Sequence, residues 1–392
     1  MSWLFIEPAD VWLFRDGKAF DAGSDHHARS VFPPNPSTVQ GALRSMLLMA
    51  SGAPLPDFAL GPTMAKHRVS RAISGVIGWP GEPPRFRLRG PFLARRRRDP
   101  QGKESYVRYF PLPADVVKLK KRDDGKGVIH QCLAPLRESP FGANWPGRGL
   151  LPLWARTCGV LEEVAECWVD ERTLLSYLRG GGLPSDGVCA EKSLFVRENR
   201  FGVGLDSQTR RPREGLLYQV EFIRPRDGIG LLVEVDDSGL PEQISWPDAG
   251  LLSFGGESRA ARVTVVQGYE LAEQHGPVPG DTGERLRVYL ATPARFDDAW
   301  TAADWSKWFS GPDLRLVAAA VKRIHPIGGV RVDAESQKGA FQKTMYRYVP
   351  AGSVFFLEAD GPIRYSGMAV TDSEEDAVIG FGQVFLGAWD YA

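Results

Sequence analysis

The chain has 392 residues, with 48 lysines and arginines balanced by 48 aspartates and glutamates. Its 43% hydrophobic and 24% charged residues are typical of a soluble globular protein and exclude a disordered or fibrous chain. The length suffices for two domains of ordinary size. Zero net charge neither supports nor excludes nucleic-acid binding, so the local distribution of charge has to decide.

Cysteine usage and the N-terminus indicate the compartment. Cys132, Cys158, Cys167 and Cys189 show no Cys-x-x-Cys pairing, so we expect reduced core residues in a cytoplasmic protein, with no zinc site or disulfide framework. The N-terminal segment meets Glu7 at once and lacks a basic region, which argues against a signal peptide. No apolar run is long enough to span a membrane. We therefore expect no metal, no cofactor and no membrane contact.

The first 50 residues predict strands followed by one clear helix. Residues 3–6 indicate a short buried central strand, and residues 11–14 a second extended piece. Residues 24–30, which include His26 and His27, are polar and irregular, and the proline-rich segment 32–36 cannot be helical. Ser37 is predicted to cap a helix whose core stripe is Val39, Ala42, Leu43, Met46 and Leu47.

Arg44 lies on the other side of this helix. A helix N-terminus binds anions readily, because its first amides lack partners and the helix dipole is positive there. A plain packing helix with a solvated arginine explains the same pattern. The sequence leaves both interpretations open.

Residues 54–187 are rich in proline and glycine, and we interpret them as a partly mobile insertion in the first domain. Two basic loops are predicted within it, at residues 95–98 and 118–122, with Phe92, Tyr106 and Tyr109 nearby. This combination suits contact with a nucleic-acid backbone and base stacking, whereas a solvated charge run is the commoner explanation. Helical periodicity is clearest over residues 171–178.

The segment 193–259 contains the most informative pattern for function. It predicts a long β-hairpin, because Tyr218, Val220 and Phe222 alternate with Gln219 and Glu221 in the return strand. The strand at residues 193–206 carries Arg197 and Arg200, and the loop that follows carries Arg210 and Arg211. Downstream, the glycine pair Gly255-Gly256 stands close to Arg259, which suits the approach of backbone amides to an anion. The segment therefore indicates a surface for a polyanion.

A Pro/Gly-rich linker at residues 276–281 places a domain boundary nearby. We expect strands at residues 229–235, 262–266, 285–292, 345–349 and 354–358, and a strand or short helix at 314–321. The Trp-rich stretch from Trp300 to Trp308 could dock a partner, although core packing is our preferred explanation. The repeated pattern predicts an α+β fold of two sandwiches, with domains at residues 1–270 and 271–392 and a C-terminal glycine-rich loop.

Several segments resemble a known family. They are Trp3-Leu4-Phe5-Ile6-Glu7-Pro8, Phe14-Arg15-Asp16-Gly17, Phe32-Pro33-Pro34-Asn35-Pro36-Ser37-Thr38-Val39-Gln40-Gly41-Ala42-Leu43-Arg44, Gly202-Val203-Gly204-Leu205-Asp206, Glu214-Gly215-Leu216-Leu217-Tyr218, Phe254-Gly255-Gly256-Glu257-Ser258-Arg259, Val349-Pro350-Ala351-Gly352-Ser353-Val354-Phe355-Phe356 and Gly380-Phe381-Gly382. In this order they resemble the third subunit of the Cmr complex, a RAMP protein of type III-B CRISPR effectors. One departure is that Gly328-Gly329 is followed by Val330-Arg331, where the family usually has Trp-Asp.

The resemblance implies two ferredoxin-like (RNA-recognition-type) domains, a long insertion in the first, and a non-catalytic role in antiviral defence. It implies that the chain caps the 5′ repeat-derived tag of the CRISPR RNA (crRNA), docks onto the large polymerase-like subunit and contacts a neighbouring backbone RAMP subunit. The residues that we expect to contact RNA are glycines, arginines and one glutamine: Arg44, Arg197, Arg200, Arg210, Arg211, Gly255, Gly256, Arg259, Gly380, Gly382 and Gln383.

Two alternatives remain. Related RAMP proteins include endoribonucleases that use a histidine, and His26 and His27 could supply one. However, no second catalytic group stands at a characteristic spacing. The chain could also be a purely structural adaptor that binds proteins and no RNA.

Overall fold

A computed structural model describes residues 1–17, 27–120, 129–138, 149–184, 186–206, 208–236, 238, 246, 249–266, 283–332 and 340–392. The helices in these ranges are α1 (Pro36–Ala50), α2 (Leu55–Ala59), α3 (Gly61–Met64), α4 (Arg68–Ile77), α5 (Glu171–Leu178) and α6 (Glu374–Val378), with 3-10 turns at Glu191–Ser193 and Trp305–Lys307.

The strands in the same ranges are β1 (Ser2–Pro8), β2 (His27–Ala28), β3 (Arg87–Arg98), β4 (Glu104–Pro111), β5 (Val116–Leu119), β6 (His130–Cys132), β7 (Ala134–Pro135), β8 (Leu153–Trp154), β9 (Leu161–Glu163), β10 (Cys167–Asp170), β11 (Val188–Ala190), β12 (Phe195–Leu205), β13 (Pro212–Pro225), β14 (Ile229–Asp236), β15 (Ala249–Ser253), β16 (Ala260–Val266), β17 (Arg285–Leu290), β18 (Phe309–Ser310), β19 (Arg315–Ala320), β20 (His325–Ile327), β21 (Val330–Val332), β22 (Ala340–Gln342), β23 (Tyr346–Tyr348), β24 (Val354–Glu358), β25 (Arg364–Tyr365) and β26 (Val384–Ala388). The fold is α+β and dominated by strands, which confirms the predicted class at that level.

The main sheet is built around β1. Its strand order is β11-β10-β4-β3-β14-β1-β16-β15, and β1 pairs antiparallel with β14 and β16. Leu4, Phe5 and Ile6 are fully buried. Leu4 and Ile6 join the core beneath α1, whereas Phe5 joins the core shared with the second half of the chain. Both faces of β1 are covered, which explains its continuous apolar sequence.

Helix α1 covers one face of this sheet. It begins two residues earlier than predicted: Asn35 is at the N-cap position and Pro36 follows at the first turn, so Ser37 is not the cap. The predicted core stripe is confirmed, since its members are all buried: Val39, Ala42, Leu43, Met46 and Leu47. The helix packs against β3, β15 and α4. None of the described helices is long and apolar enough to cross a membrane.

The segment predicted as an insertion contributes β3, β4 and β10 to the main sheet. The prediction of a basic loop at residues 95–98 is wrong, because these arginines end strand β3. Arg95 Nη2 donates to the Ser193 carbonyl at 2.8 Å, and Arg96 and Arg98 each pair with a glutamate at 2.7 Å. Local partners stabilise the arginine run as a strand. In the second predicted loop, β5 covers residues 116–119, and residues 121–125 lie outside the described ranges.

The second sheet has the order β19-β24-β17-β26. Trp305 and Trp308 are buried in its core, and the Trp305 ring lies 4.9 Å from the Phe355 ring. Core packing of the Trp-rich stretch is therefore confirmed. A further apolar cluster joins the two sheets through contacts such as Phe110 with Phe385, whose rings are 5.0 Å apart. The predicted linker lies outside the described residues, and the division at 270/271 stays a prediction.

Candidate RNA-binding cleft and hairpin

A cleft of about 780 Å³ opens between the two halves of the chain. One wall comes from the main sheet and the connector before α1, through residues 32–36, 91–93, 109–111 and 166–168. The opposite wall comes from the second half, through residues 291–293, 325–329 and 350–351, with Met345 and Tyr348. A cavity of this size, mostly apolar and aromatic with a few polar groups, suits a ligand as large as a nucleotide.

The ionisable residues that line the cleft are of both kinds: the basic residues are Arg15, Lys322 and His325, and the acidic residues are Asp16, Glu166 and Glu191. Lys322 Nζ donates to the Leu112 carbonyl at 2.6 Å, and burial lowers the pKa of Lys322 to about 8. Burial, together with the charge of Arg323, also lowers the pKa of His325. Lys322 is therefore predominantly charged at neutral pH, whereas His325 is predominantly neutral.

Two further features change the charge that a ligand meets. Glu191 is already paired with Arg197 at 2.9 Å. The first residues of α1 line the cleft as well, so the positive end of a 15-residue helix lies at its wall. The predicted anion site at this helix therefore borders the cleft.

A basic and aromatic rim lies beside the cleft, on β23 and on the segments next to the cleft-lining residues 291–293, 325–329 and Met345. The Arg295 guanidinium lies 3.6 Å from the centre of the Tyr346 ring, and that tyrosine is still 42% exposed. Arg323 and Arg347 are also exposed, and Lys343 pairs with Glu375 at 3.6 Å. We call Arg295, Arg323, Lys343, Tyr346 and Arg347 the basic rim.

Our sequence interpretation missed the basic rim. Its two stacked members, Arg295 and Tyr346, are about fifty residues apart in the chain, and only the fold brings them together. The short pattern of bases and aromatics at residues 343–347 was the available signal, and it was interpreted as an ordinary strand.

The β-hairpin is confirmed as β12 and β13, which pair antiparallel from Phe195 opposite Pro225 to Leu205 opposite Pro212, with an irregular register between Val203 and Leu205. Val220 and Phe222 are buried and Tyr218 is half-buried, as the alternation predicted. Ion pairs hold the predicted RNA-binding arginines at its base. Arg197 pairs with Glu191 and Glu221 at 2.9 and 2.8 Å, and Arg200 pairs with Glu198 at 2.7 Å. These two arginines stabilise the hairpin itself.

The tip and outer face of the hairpin are different. Arg210 and Arg211 are exposed at the tip, where the Arg210 backbone has φ +54°. The outer face presents Phe201, which is 73% exposed, beside Val203, Leu205 and Leu217. An exposed aromatic ring on a hairpin with arginines at its tip provides a stacking surface for a base. The alternating Phe201, Val203 and Leu205 were the signal for this face, which we did not predict.

The predicted glycine sites pack internally. A Cβ on Gly255, whose φ is +90°, would lie 2.5 Å from the Leu13 carbonyl oxygen, and the Gly256 N–H donates to the same oxygen at 2.7 Å. Arg259 lies over the Phe222 ring at 4.7 Å and pairs with Glu257 at 3.3 Å. The glycine pair therefore brings this turn close to Leu13, and the amide of Gly256 is not available to a phosphate.

The C-terminal glycine loop is also a packing element. Gly380 and Gly382 are buried, and a Cβ on Gly380 would lie 2.4 Å from the Gly90 carbonyl oxygen of the main sheet. The Gly382 N–H donates to the Pro293 carbonyl at 2.8 Å, and the Gln383 N–H donates to Thr292 Oγ1 at 2.9 Å. The loop thus closes the contact between the two halves beneath the cleft.

Arg44 holds the end of another helix. Its guanidinium donates to the carbonyls of Gly78, Trp79 and Glu82 at 3.3, 3.1 and 3.0 Å. These carbonyls follow the last turn of α4, where a cation is favoured by the helix dipole. The structure gives Arg44 a scaffold role.

The histidines of the alternative nuclease interpretation are partly described. His27 lies in the short strand β2 and pairs with Gln219 of the hairpin, and His26 lies outside the described residues. In the part of the chain that the structure describes, no group of three His, Cys, Asp or Glu side chains is placed to hold a metal ion.

These features define a class: a strand-rich α+β protein whose two halves enclose a cleft and which carries a long β-hairpin with arginines at its tip. The family model of the CRISPR-associated protein Cas_Cmr3 matches residues 4–389, and the chain belongs to this family. The resemblance to the third subunit of the Cmr complex of type III-B CRISPR systems is thereby confirmed. No curated protein matches the chain.

Two solved structures are similar at low identity. One is a cryo-EM structure of the type III-B Cmr-beta complex bound to cognate target RNA and AMPPnP, at 15% identity and a TM-score of 0.47, covering 90% of this chain and 86% of that chain. The other is the same complex bound to cognate target RNA, at 16% identity and a TM-score of 0.44, with the same coverage.

Proposed function

We propose that this chain is a non-catalytic, cytoplasmic RNA-binding subunit of a type III-B Cmr effector. In this proposal it holds the 5′ repeat-derived tag of the crRNA, and it docks onto the large polymerase-like subunit and a neighbouring backbone RAMP subunit. Its two halves are divergent ferredoxin-like domains, and the C-terminal glycine loop joins them. The observation that carries the proposal is the cleft with its basic rim, in a chain of the Cas_Cmr3 family.

The chemistry of the cleft suits a single-stranded tag. Unpaired bases expose flat faces that stack on aromatic rings, and Tyr346 and Phe201 offer such faces at two exposed positions. The phosphates between them require cations, which the rim and the hairpin tip supply through Arg323, Arg347 and Arg210. These groups supply an RNA strand with both backbone contacts and stacking surfaces.

The experiment measures binding of crRNA with intact, scrambled or deleted tags, with the protein alone and with the large subunit, at two salt concentrations. Intact tags should bind best. The variant Tyr346→Ala should weaken binding by about tenfold, within the range for loss of one stacked base, whereas Tyr346→Phe should retain it. The double variant Arg210→Ala/Arg211→Ala should reduce the slope of log K against log salt by roughly 1.5, because two phosphate contacts are lost.

The same samples test the alternatives. RNA recovered uncut from a denaturing gel, with tag-dependent affinity, supports the proposal. If the RNA is cut, the proposal is wrong and the endoribonuclease interpretation takes its place. The variant His26→Ala/His27→Ala would then be tested for loss of cleavage. Equal affinity for all three tags, or no binding in either setting, would leave the adaptor interpretation.

A further inference from the structure

The outer helices of the first half carry an exposed apolar surface. Helix α1 packs on the main sheet, α4 packs against α1, and α2 contacts both α3 and α4. Five large apolar side chains between α1 and α4 are exposed, with Met49 and Met64 at 67% and 62%: Met49, Leu55, Leu60, Met64 and Val69. We call these five residues the outer helical patch.

The outer helical patch is concentrated and has a distinct composition. Its members fall within residues 49–69, whereas isolated exposed apolar residues are normally scattered over a surface. All are aliphatic or methionine, and the one aromatic residue in this stretch, Phe58, is buried. Methionine adapts to irregular protein surfaces, but aliphatic side chains give no flat face for a base. The patch therefore suits a protein better than RNA.

The charges around the patch indicate which kind of protein surface can bind to it. Lys66, Arg68 and Arg71 are exposed at its edge, and Asp57 is the one acidic residue in the sequence from 49 to 71. Asp57 is engaged internally, because its carboxylate accepts hydrogen bonds from the backbone N–H groups of Lys66 at 2.9 Å and His67 at 3.1 Å. These bonds lower the pKa of Asp57. The patch thus presents an apolar centre with a positive edge.

We propose that the outer helical patch docks an acidic amphipathic helix of a neighbouring protein subunit. Such a helix would place its apolar face on the aliphatic and methionine side chains and its carboxylates beside Lys66 and Arg68. The inference rests on the proposed function only in that it requires the chain to assemble with other proteins. It assigns the docking to a surface separate from the cleft.

The first test is photo-crosslinking in the assembled complex. The full chain, with p-benzoylphenylalanine in place of Met64, would be co-expressed with the other subunits of its effector and crRNA, purified as the complex and irradiated. The crosslinked peptide would then be identified by mass spectrometry. The expected product lies in a subunit helix that combines an apolar stripe with aspartates or glutamates. A crosslink to RNA, to lipid or to a second copy of this chain, or no crosslink at all, would overturn the inference.

The second test uses matched variants. Leu60→Asp/Met64→Asp should reduce incorporation into the complex by at least about tenfold, since two buried apolar contacts are lost. Lys66→Glu/Arg68→Glu should reduce it in low salt more than in high salt. Val160→Asp is the control, because Val160 is 65% exposed outside the patch.

Each variant is also tested for crRNA tag binding in isolation, together with its melting temperature. Lost incorporation with unchanged tag binding supports this inference. Retained incorporation by both patch variants would refute it and would leave the RNA-binding proposal unaffected. Lost tag binding with intact incorporation would refute it as well, and would show that the RNA contact lies at the patch and not at the cleft.

Discussion

Replacing Arg44 with alanine should destabilise the protein without weakening its binding to RNA. The guanidinium joins α1 to the carbonyls of Gly78, Trp79 and Glu82, within 3.3 Å of each. Alanine removes all three donors and leaves these carbonyls without their cation. The sequence predicted an RNA contact at the same residue, so the two roles make opposite predictions for affinity.

The magnitude follows from the hydrogen bonds. A bond to a charged group stabilises a fold by about 1.5–3 kcal/mol, and the bonds of one group are not additive. Water can replace part of the loss, because the contact to Glu82 is exposed. We therefore expect a loss of about 2 kcal/mol, which corresponds to a melting temperature lower by roughly 2–3 °C, because the entropy of unfolding is large in a chain of 392 residues.

The assay combines a thermal melt with crRNA binding for Arg44→Ala, Arg44→Lys and the control Arg85→Ala, which removes an exposed arginine. Lysine should recover only part of the stability, because it lacks the planar fork that reaches several carbonyls. The control should melt as the unmodified protein does. A fivefold loss of RNA affinity in Arg44→Ala at an unchanged melting temperature would refute the scaffold role.

Three further predictions concern the contact between the two halves. The pKa of Lys322 is about 8 in the folded chain against an ordinary 10.5, so the unfolded chain binds more protons between these pH values and stability rises as pH increases through them. Lys322→Met should therefore raise the free energy of unfolding at pH 7 by about 2 kcal/mol more than at pH 10. Gly387→Ala should cost at least about 1–3 kcal/mol, because its Cβ would lie 2.2 Å from the Leu178 carbonyl oxygen. Tyr177→Phe should cost about 1–3 kcal/mol, because its hydroxyl donates to the buried Asp115 carboxylate at 2.7 Å.

All three predictions can be checked by denaturant unfolding followed by tryptophan fluorescence. Gly283→Ala is the matched control for Gly387→Ala, since its added Cβ meets no atom within 4 Å. An equal effect of Lys322→Met at both pH values would contradict the lowered pKa. If Tyr177→Phe has the same free energy of unfolding as the unmodified protein, the hydrogen bond from Tyr177 to Asp115 does not stabilise the fold.

Much of the fold could be predicted from local patterns. The buried strand β1, the core face of α1, helix α5 and the hairpin follow from hydrophobic periods that the sequence displays directly. Local patterns could not show that residues 95–98 continue a strand, because their partners Glu7 and Ser193 are distant in the chain. The N-cap at Asn35 was missed for a smaller reason, since the helix accepts Pro36 at its first position and therefore begins two residues earlier than the Ser37 cap predicted.

For the candidate site, the sequence predicted less and the tertiary structure decided more. By itself the sequence determined the family and the residue types that suit RNA, namely arginines, aromatics and glycines. Only the tertiary structure decided which of them are available: Arg44, Arg197 and Gly382 are engaged by internal partners, whereas Arg210 and Tyr346 are exposed. The physical reason is that a charge or an amide is available to a ligand only if the fold has not already paired it. That pairing depends on contacts between residues far apart in the chain.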